Sequence, residues 1–176
     1  GRTAEQLDPL SEQIGVQLGM RLTAARRFEE AVQQYQKVLG IHPESVFAKF
    51  QLANALTVLK RYDQAIEVFL SRKGPDPSAN FALGLTYGLA GRKDEARKVL
   101  NKLLEKRKSA YLPPSQIAIV YAGLGEKEPA WAWLEQSWND RAWIVDGMGV
   151  DPLFDAFRSD PRFQDLLRKM NLPYAR

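Results

Sequence analysis

The chain has 176 residues, of which 45% are hydrophobic and 26% are charged, and this composition is typical of a soluble globular segment that buries a core. It contains no cysteine, which excludes disulfides, thiolate metal sites and cysteine nucleophiles but fits either a reducing or an oxidising compartment. Its formal charge of +4 comes from 25 basic residues interleaved with 21 acidic ones, so nucleic acid is not an expected partner. No apolar run reaches the roughly 18 residues of a membrane span, and we expect no membrane insertion of this segment.

An internal repeat organises the sequence. An alanine is followed four residues later by a large apolar or aromatic residue at four places: Ala31 with Tyr35, Ala65 with Phe69, Ala96 with Leu100, and Ala130 with Leu134. The four alanines are 34, 31 and 34 residues apart. A small residue lies ahead of each alanine in the same register, at Gly19, Ala53, Gly84 and Ala118. Within each half of the repeat the apolar residues recur at i, i+3, i+4 and i+7, which predicts pairs of amphipathic helices whose small residues meet where the helices cross.

The predicted elements begin within the first nine residues. Counting back by one repeat, Ala4, Leu7 and Pro9 match the end of a preceding unit, so residues 1–9 are predicted to be the tail of a truncated repeat. Residues 10–144 then hold four helix pairs, at about 12–45, 46–76, 77–110 and 111–144. The individual helices are predicted at 12–25 and 28–40, 45–59 and 62–72, 78–90 and 93–107, and 114–124 and 127–139. The second unit is three residues short, and its second helix is predicted to stop at Lys73-Gly74-Pro75.

Residues 145–176 are predicted to form a C-terminal cap. Asp151-Pro152 and Ser159-Asp160-Pro161 each place a capping side chain before a proline, so each predicts a helix start. Phe163, Leu166, Leu167 and Met170 form one apolar stripe that would cover the exposed face of the last repeat, with Asp165, Arg168 and Lys169 on the polar side. The segment Asp146–Asp151 lacks the ligand spacing of a calcium loop and is interpreted as a turn.

This pattern resembles the tetratricopeptide repeat (TPR), a unit of about 34 residues with a Leu-Gly, a Tyr and then an Ala and a Phe at these offsets. The resemblance implies an all-α solenoid of antiparallel helix pairs in a right-handed superhelix, closed by C-terminal capping helices. The order Tyr111-Leu112-Pro113-Pro114, Asp151-Pro152-Leu153-Phe154 and Ser159-Asp160-Pro161-Arg162-Phe163 is similar to the C-terminal TPR regions of bacterial regulators. In those proteins the repeats follow a winged-helix domain or a serine/threonine kinase domain. We therefore expect an excised segment of a larger bacterial signalling protein, with its compartment, cytoplasmic or extracytoplasmic, left open.

The resemblance also implies a binding groove lined by the first helix of each pair. Carried over onto this sequence, the groove positions are Val16, Gln17, Met20, Phe47, Phe50, Gln51, Asn54, Thr57, Phe81, Leu85, Gln116 and Ile119. The set is mostly apolar and uncharged, which predicts a protein or peptide partner with apolar anchors. Family members that clamp a C-terminal carboxylate use Lys, Asn and Arg, and here only Asn54 keeps that pattern. The alternative for any single apolar member of the set is a role in the core.

Four tryptophans, Trp131, Trp133, Trp138 and Trp143, crowd into thirteen residues. Trp131 and Trp138 share a helical face, whereas Trp133 points elsewhere. Packing against the terminal cap is the main interpretation of these residues, and a second binding surface is the alternative.

The chemistry-bearing residues do not form a catalytic set. The single histidine, His42, precedes a proline and is interpreted as the cap of a helix end. Basic residues recur at the turns, for example Arg26-Arg27 and Lys60-Arg61, but acids follow each of them, which suits the dipoles of adjacent helix ends. No cofactor and no metal site is predicted. The function predicted first is a protein-binding interaction module or scaffold; self-association as a homo-oligomer is the alternative, and an enzyme is a distant one.

Overall fold

The structure is a computed structural model. It describes residues 11–72, 80–140, 149 and 151–169. The chain divides into two compact units, Gly1–Pro77 and Ser78–Arg176. Every regular element in the described residues is helical.

The N-terminal unit contains two helix pairs. Its helices are α1 (Glu12–Ala24), α2 (Phe28–Ile41), α3 (Val46–Val58) and α4 (Tyr62–Leu70). Each helix packs on the next, and α1 also contacts α3. The repeat alanines Ala31 and Ala65 and their partners Tyr35 and Phe69 are completely buried, so the positions that define the repeat are the centre of this core.

The C-terminal unit contains two further helix pairs and the cap. Its elements are α5 (Phe81–Leu89), α6 (Lys93–Ser109), α7 (Pro114–Gly123), α8 (Lys127–Asn139), a 3₁₀ helix (Pro152–Phe157) and α9 (Pro161–Lys169). Ala96, Leu100, Ala130 and Leu134 are buried here as their counterparts are in the first unit. The eight paired helices begin and end within three residues of the predicted bounds. The predicted stop at residues 73–75 lies outside the described residues.

The first helix of every pair ends in the same turn. One residue takes a positive φ, and its N–H and the next N–H donate to carbonyls in the last turn of the helix, as Arg26 does to Thr23 and Arg27 to Leu22. The residues with positive φ are Arg26 (61°), Lys60 (59°), Gly91 (76°) and Gly125 (77°). Two of these turns therefore place a long side chain in a conformation that costs it about 1–2 kcal/mol.

In the first helix pair, the small residue Gly19 packs against a large side chain, whereas the sequence predicted that it would meet another small residue. A Cβ placed on Gly19 would lie 2.3 Å from Cε1 of Tyr35, so the glycine accommodates a large ring and not the methyl group of Ala31. A Cβ on Gly84 would lie 2.9 Å from Val120 of the next pair and 3.0 Å from Val99 of its own partner helix. The small positions thus make room for neighbouring large side chains.

The contact between α5 and α7 brings two backbones together. A Cβ on Gly88 would lie 2.4 Å from the carbonyl carbon of Gly123, and a Cβ on Gly123 would lie 2.8 Å from Cα of Leu85. Only glycine fits at so short a separation. Thr23 and Val58 occupy the equivalent positions on α1 and α3 in the N-terminal unit. The contact between α1 and α3 is correspondingly slight.

Two helices of the predicted C-terminal cap are described, and each begins at a capping side chain. Asp151 accepts a hydrogen bond from the N–H of Leu153 at 2.9 Å, and Asp160 accepts one from the N–H of Arg162 at 2.9 Å, so both capping side chains start their helices. Phe163 is fully buried, with its ring centroid 6.3 Å from that of Phe154. The predicted turn at Asp146 and the last stripe residue, Met170, lie outside the described residues.

Candidate functional site

The predicted groove positions on α1 fall into two groups. Val16 is buried, at 3% exposure, and belongs to the core. Gln17 is exposed, and Met20 is exposed over 42% of its surface. Met20 therefore adds flexible apolar surface to α1.

The predicted positions on α3 form a surface that a partner could contact. Phe47 is 51% exposed, and Phe50, Gln51 and Asn54 are half-buried one and two turns further along. These four residues, Phe47, Phe50, Gln51 and Asn54, occupy i, i+3, i+4 and i+7 and so share one side of the helix. We call them the α3 face. Thr57 is buried and donates its hydroxyl hydrogen to the carbonyl of Ala53 at 2.9 Å, so it belongs to the helix interior.

An arginine borders the α3 face. The guanidinium of Arg72, which follows the end of α4, lies 5.1 Å from the centroid of the Phe50 ring, in cation–π contact. The other side of Phe50 meets Phe69 edge-on, with centroids 6.1 Å apart. Nε of Arg72 is buried and has no hydrogen-bond acceptor among the described residues, and burial lowers the pKa of this guanidinium. Lys49 donates to the carbonyl of Ser71 at 3.4 Å, which brings a second cation to the same end of α4.

The predicted groove positions in the C-terminal unit are covered to a greater extent. Leu85 is 5% exposed and Ile119 is 1% exposed, so both are core residues, the role the sequence left open as the alternative. Phe81 and Gln116 are half-buried, and Phe81 packs against the core of its own unit. These four residues offer a partner little surface in comparison with the α3 face.

The tryptophans have different surroundings. Trp131 is buried, and its ring lies edge-on to Phe157 of the 3₁₀ helix with centroids 5.4 Å apart, so it packs against the cap as the main interpretation predicts. Trp133 is half-buried beneath the guanidinium of Arg107. Trp138 is 41% exposed. Trp143 lies outside the described residues.

The charged residues at the turns are largely engaged with each other. Arg27 forms a bidentate pair with Glu30, and Arg61 contacts Glu29 of the preceding pair at 2.7 Å. The backbone N–H of His42 caps α2 by donating to the carbonyl of Val38, as the sequence predicts. No group of three or more metal-ligating side chains occurs among the described residues, and none of the described helices is both long and apolar enough to cross a bilayer.

Among the described residues near the α3 face, Arg72 is one that sequence reasoning missed. It follows a helix that is shorter than the second helix of the other pairs, so no other repeat has a residue in the same position to align with it. The helical periodicity that identified the groove positions ends at Leu70. The sequence does offer one signal that could have identified Arg72. It is an arginine immediately after a shortened helix, in a repeat whose first helix contains two phenylalanines.

The helix pairs, the four identical turns and the buried alanine positions define an all-α helical-repeat protein. Two family profiles match the chain, both described as tetratricopeptide repeat, at residues 22–83 and 78–109. Together they span half of the sequence, and the chain belongs to the tetratricopeptide-repeat family. The predicted all-α TPR fold is thereby confirmed.

Two solved structures have a similar fold. The crystal structure of MamA has a TM-score of 0.52 and 19% sequence identity, over 78% of this chain and 82% of that one. The structure of YrrB, described as a TPR protein with an unusual peptide-binding site, has a TM-score of 0.51 and 16% identity, over 94% of this chain and 88% of that one. No protein of curated function matches the chain. At such low identity these similarities concern the fold alone.

Proposed function

We propose that this protein is an interaction module that binds a peptide or a segment of a partner protein on the α3 face. The observation that carries this function is the exposure of Phe47. Half of a phenylalanine side chain faces solvent on a helix whose neighbouring residues Phe50, Gln51 and Asn54 are also accessible in part. Burial of an aromatic residue of this kind supplies much of the affinity of protein interfaces.

The chemistry of the α3 face fits a peptide better than a small charged metabolite. Phe47 and Phe50 provide apolar contacts, and the side-chain amide of Gln51 provides a donor and an acceptor for a peptide backbone, whereas Oδ1 of Asn54 is buried. The family supports the same conclusion, because TPR domains are typically non-catalytic modules that bind proteins. A peptide-binding TPR protein, YrrB, is among the structures with a similar fold. We therefore assign binding and not catalysis to this chain.

Selection from a displayed library of random peptides on the immobilised chain tests this function. We expect peptides with a large apolar residue, and we expect Phe47→Glu to weaken their binding about tenfold or more, since a charge replaces an apolar contact. Tyr111→Glu is the matched control, because Tyr111 is an exposed aromatic residue, at 71%, in the other unit. Equal loss of binding in both variants, or no selected peptide at all, would refute a binding site at the α3 face.

A second copy of the chain is the alternative occupant, and the solution mass separates it from a foreign peptide. If the wild type dimerises with rising concentration and Phe47→Glu restores the monomer, then the α3 face is a self-association surface. A wild type that stays monomeric leaves the face open to a peptide.

We further propose that the module belongs to a larger bacterial regulatory protein. The support for this context is the C-terminal order of motifs, which ends in Asp160-Pro161-Arg162-Phe163. The complete reading frame that encodes the chain tests it. A winged-helix or kinase domain in the same frame would support the regulatory context, and a frame without an effector domain would contradict it.

A further inference from the structure

Two arginines of the C-terminal unit each lie over a tryptophan ring and also pair with a carboxylate. Arg107 lies 5.4 Å from the centroid of Trp133 and pairs with Asp140, with 3.6 Å between the charged atoms. Arg162 lies 4.6 Å from the centroid of Trp131 and pairs with Glu128 at 3.1 Å. In each case the ring holds the plane of the guanidinium and a carboxylate accepts its hydrogen bonds.

Arg72 also lies against a ring, but no carboxylate among the described residues pairs with it. Its guanidinium stacks on Phe50, but Nε finds no acceptor among the described residues. A half-buried guanidinium whose Nε lacks an acceptor is costly, because part of its hydration is lost and none of the described residues replaces it at Nε. The C-terminal end of α4 attracts a cation through its dipole, yet the dipole does not supply Nε with a hydrogen-bond acceptor. Lys49, bonded to the carbonyl of Ser71, makes the surroundings more positive.

We infer that Arg72 binds a carboxylate of the partner, carried by an aspartate or glutamate side chain of the peptide on the α3 face. The inference rests on the proposed function and names the chemistry of its partner. Phe50 holds the guanidinium in place before binding, so little side-chain freedom is lost when the carboxylate docks. Phe47 lies one turn of α3 from Phe50, so the acidic residue of the peptide stands within a few positions of a large apolar residue.

This acidic anchor differs from the carboxylate clamp of some family members, of whose residues this sequence keeps only Asn54. The clamp uses charged residues on the first helices, whereas Arg72 follows a second helix and lies beside a phenylalanine. The expected partner is therefore an acidic and apolar internal segment and not a free C-terminus.

Peptides selected on the full wild-type chain provide the probe. We expect them to contain Asp or Glu close to the apolar residue, and we expect exchange of that residue for Asn or Gln to weaken binding about tenfold, as loss of a charge-assisted hydrogen bond does. Arg72→Gln should weaken the acidic peptide by a similar factor and leave the amide peptide unchanged. In the double-mutant cycle the two losses should thus not add. The exchange of the acidic residue in the peptide leaves the protein unaltered. This test therefore remains valid even if Arg72→Gln disturbs the fold.

Arg27→Gln is the matched control. It removes the same charge from the same unit. Arg27 precedes α2, close to the contact between Glu29 and Arg61 at the start of α4. Arg72 follows the other end of α4. We expect no change in affinity in this variant. Selected peptides that lack acids, or acidic peptides whose amide forms bind equally well, would overturn the role of Arg72 while leaving the peptide-binding function in place. The absence of any selected peptide would overturn both.

Discussion

Replacing Gly19 by alanine adds a methyl group where the ring of Tyr35 already lies. The new Cβ would stand 2.3 Å, 2.7 Å and 2.8 Å from three atoms of that ring. Tyr35 cannot easily move aside, because it is fully buried and its hydroxyl lies 3.3 Å from Oγ1 of Thr23. We therefore expect Gly19→Ala to destabilise the fold through overpacking.

The magnitude follows from two opposing terms. Overpacking of a well-packed core costs about 1–3 kcal/mol, and the short contacts place this site at the upper end. Alanine is favoured over glycine in a helix by about 1 kcal/mol, which offsets part of the cost. The expected loss in the free energy of unfolding is thus about 2 kcal/mol. Gly40→Ala, in the exposed part of α2 with no atom within 4 Å of the new Cβ, should instead gain about 0.5–1 kcal/mol.

Urea unfolding followed by far-ultraviolet circular dichroism measures both variants against the wild type. We expect the midpoints to move in opposite directions at an unchanged slope. Gly19→Ala should cost less in a Tyr35→Leu background than in the wild type, since a smaller side chain frees space for the methyl group. A Gly19→Ala variant as stable as Gly40→Ala would refute the packing assigned to the first helix pair.

Three further substitutions test the turns, a helix start and the cap. Gly91→Ala, at a φ of 76°, should cost about 1 kcal/mol, whereas Lys60→Gly, at 59°, should gain about 0.5 kcal/mol; thermal midpoints that move in the same direction would contradict the turn geometry. Asn80→Ala should cost about 1 kcal/mol in urea unfolding because Oδ1 of Asn80 accepts hydrogen bonds from the first turn of α5, and Asn80→Asp should not. The Arg162 guanidinium lowers the pKa of Asp160 to about 2, so the ionised carboxylate stabilises the fold above about pH 4 and this contribution is lost as the pH falls through about 2. The thermal midpoint of Asp160→Asn should lie below that of the wild type at pH 7 and approach it at pH 2, and a gap that stays constant would show that the pair does not stabilise the fold.

The helix pairs could be predicted from the sequence because their core is set by local periodicity. Ala31 and Tyr35 recur with their counterparts in every pair, and each of these residues is buried. The turns were also visible in part, since Gly91 and Gly125 occupy the positions of positive φ. The other two turns carry Arg26 and Lys60 there, and residue type alone gives no sign that they share this conformation.

The accessibility of the groove positions could not be predicted in the same way. Met20, Leu85 and Ile119 hold the same register position in their repeats, yet Met20 is 42% exposed and the other two are buried. The reason lies in the neighbouring helices. Gly88 and Gly123 let the backbones of α5 and α7 touch, so side chains beside that contact are covered. Helical periodicity shows which residues face one side of a helix, but it does not show how closely the next helix approaches.

The placement of the tryptophans gives the chain a natural optical probe. All four lie between residues 131 and 143, within the C-terminal unit, and the N-terminal unit contains only tyrosine and phenylalanine as aromatic residues. Indole emission therefore follows the melting of one half of the molecule, whereas ellipticity follows both halves. Phe47 lies in the N-terminal unit, which contains no tryptophan, so a peptide bound at Phe47 contacts no indole of that unit. A shift of the emission midpoint on binding would show that the two halves communicate.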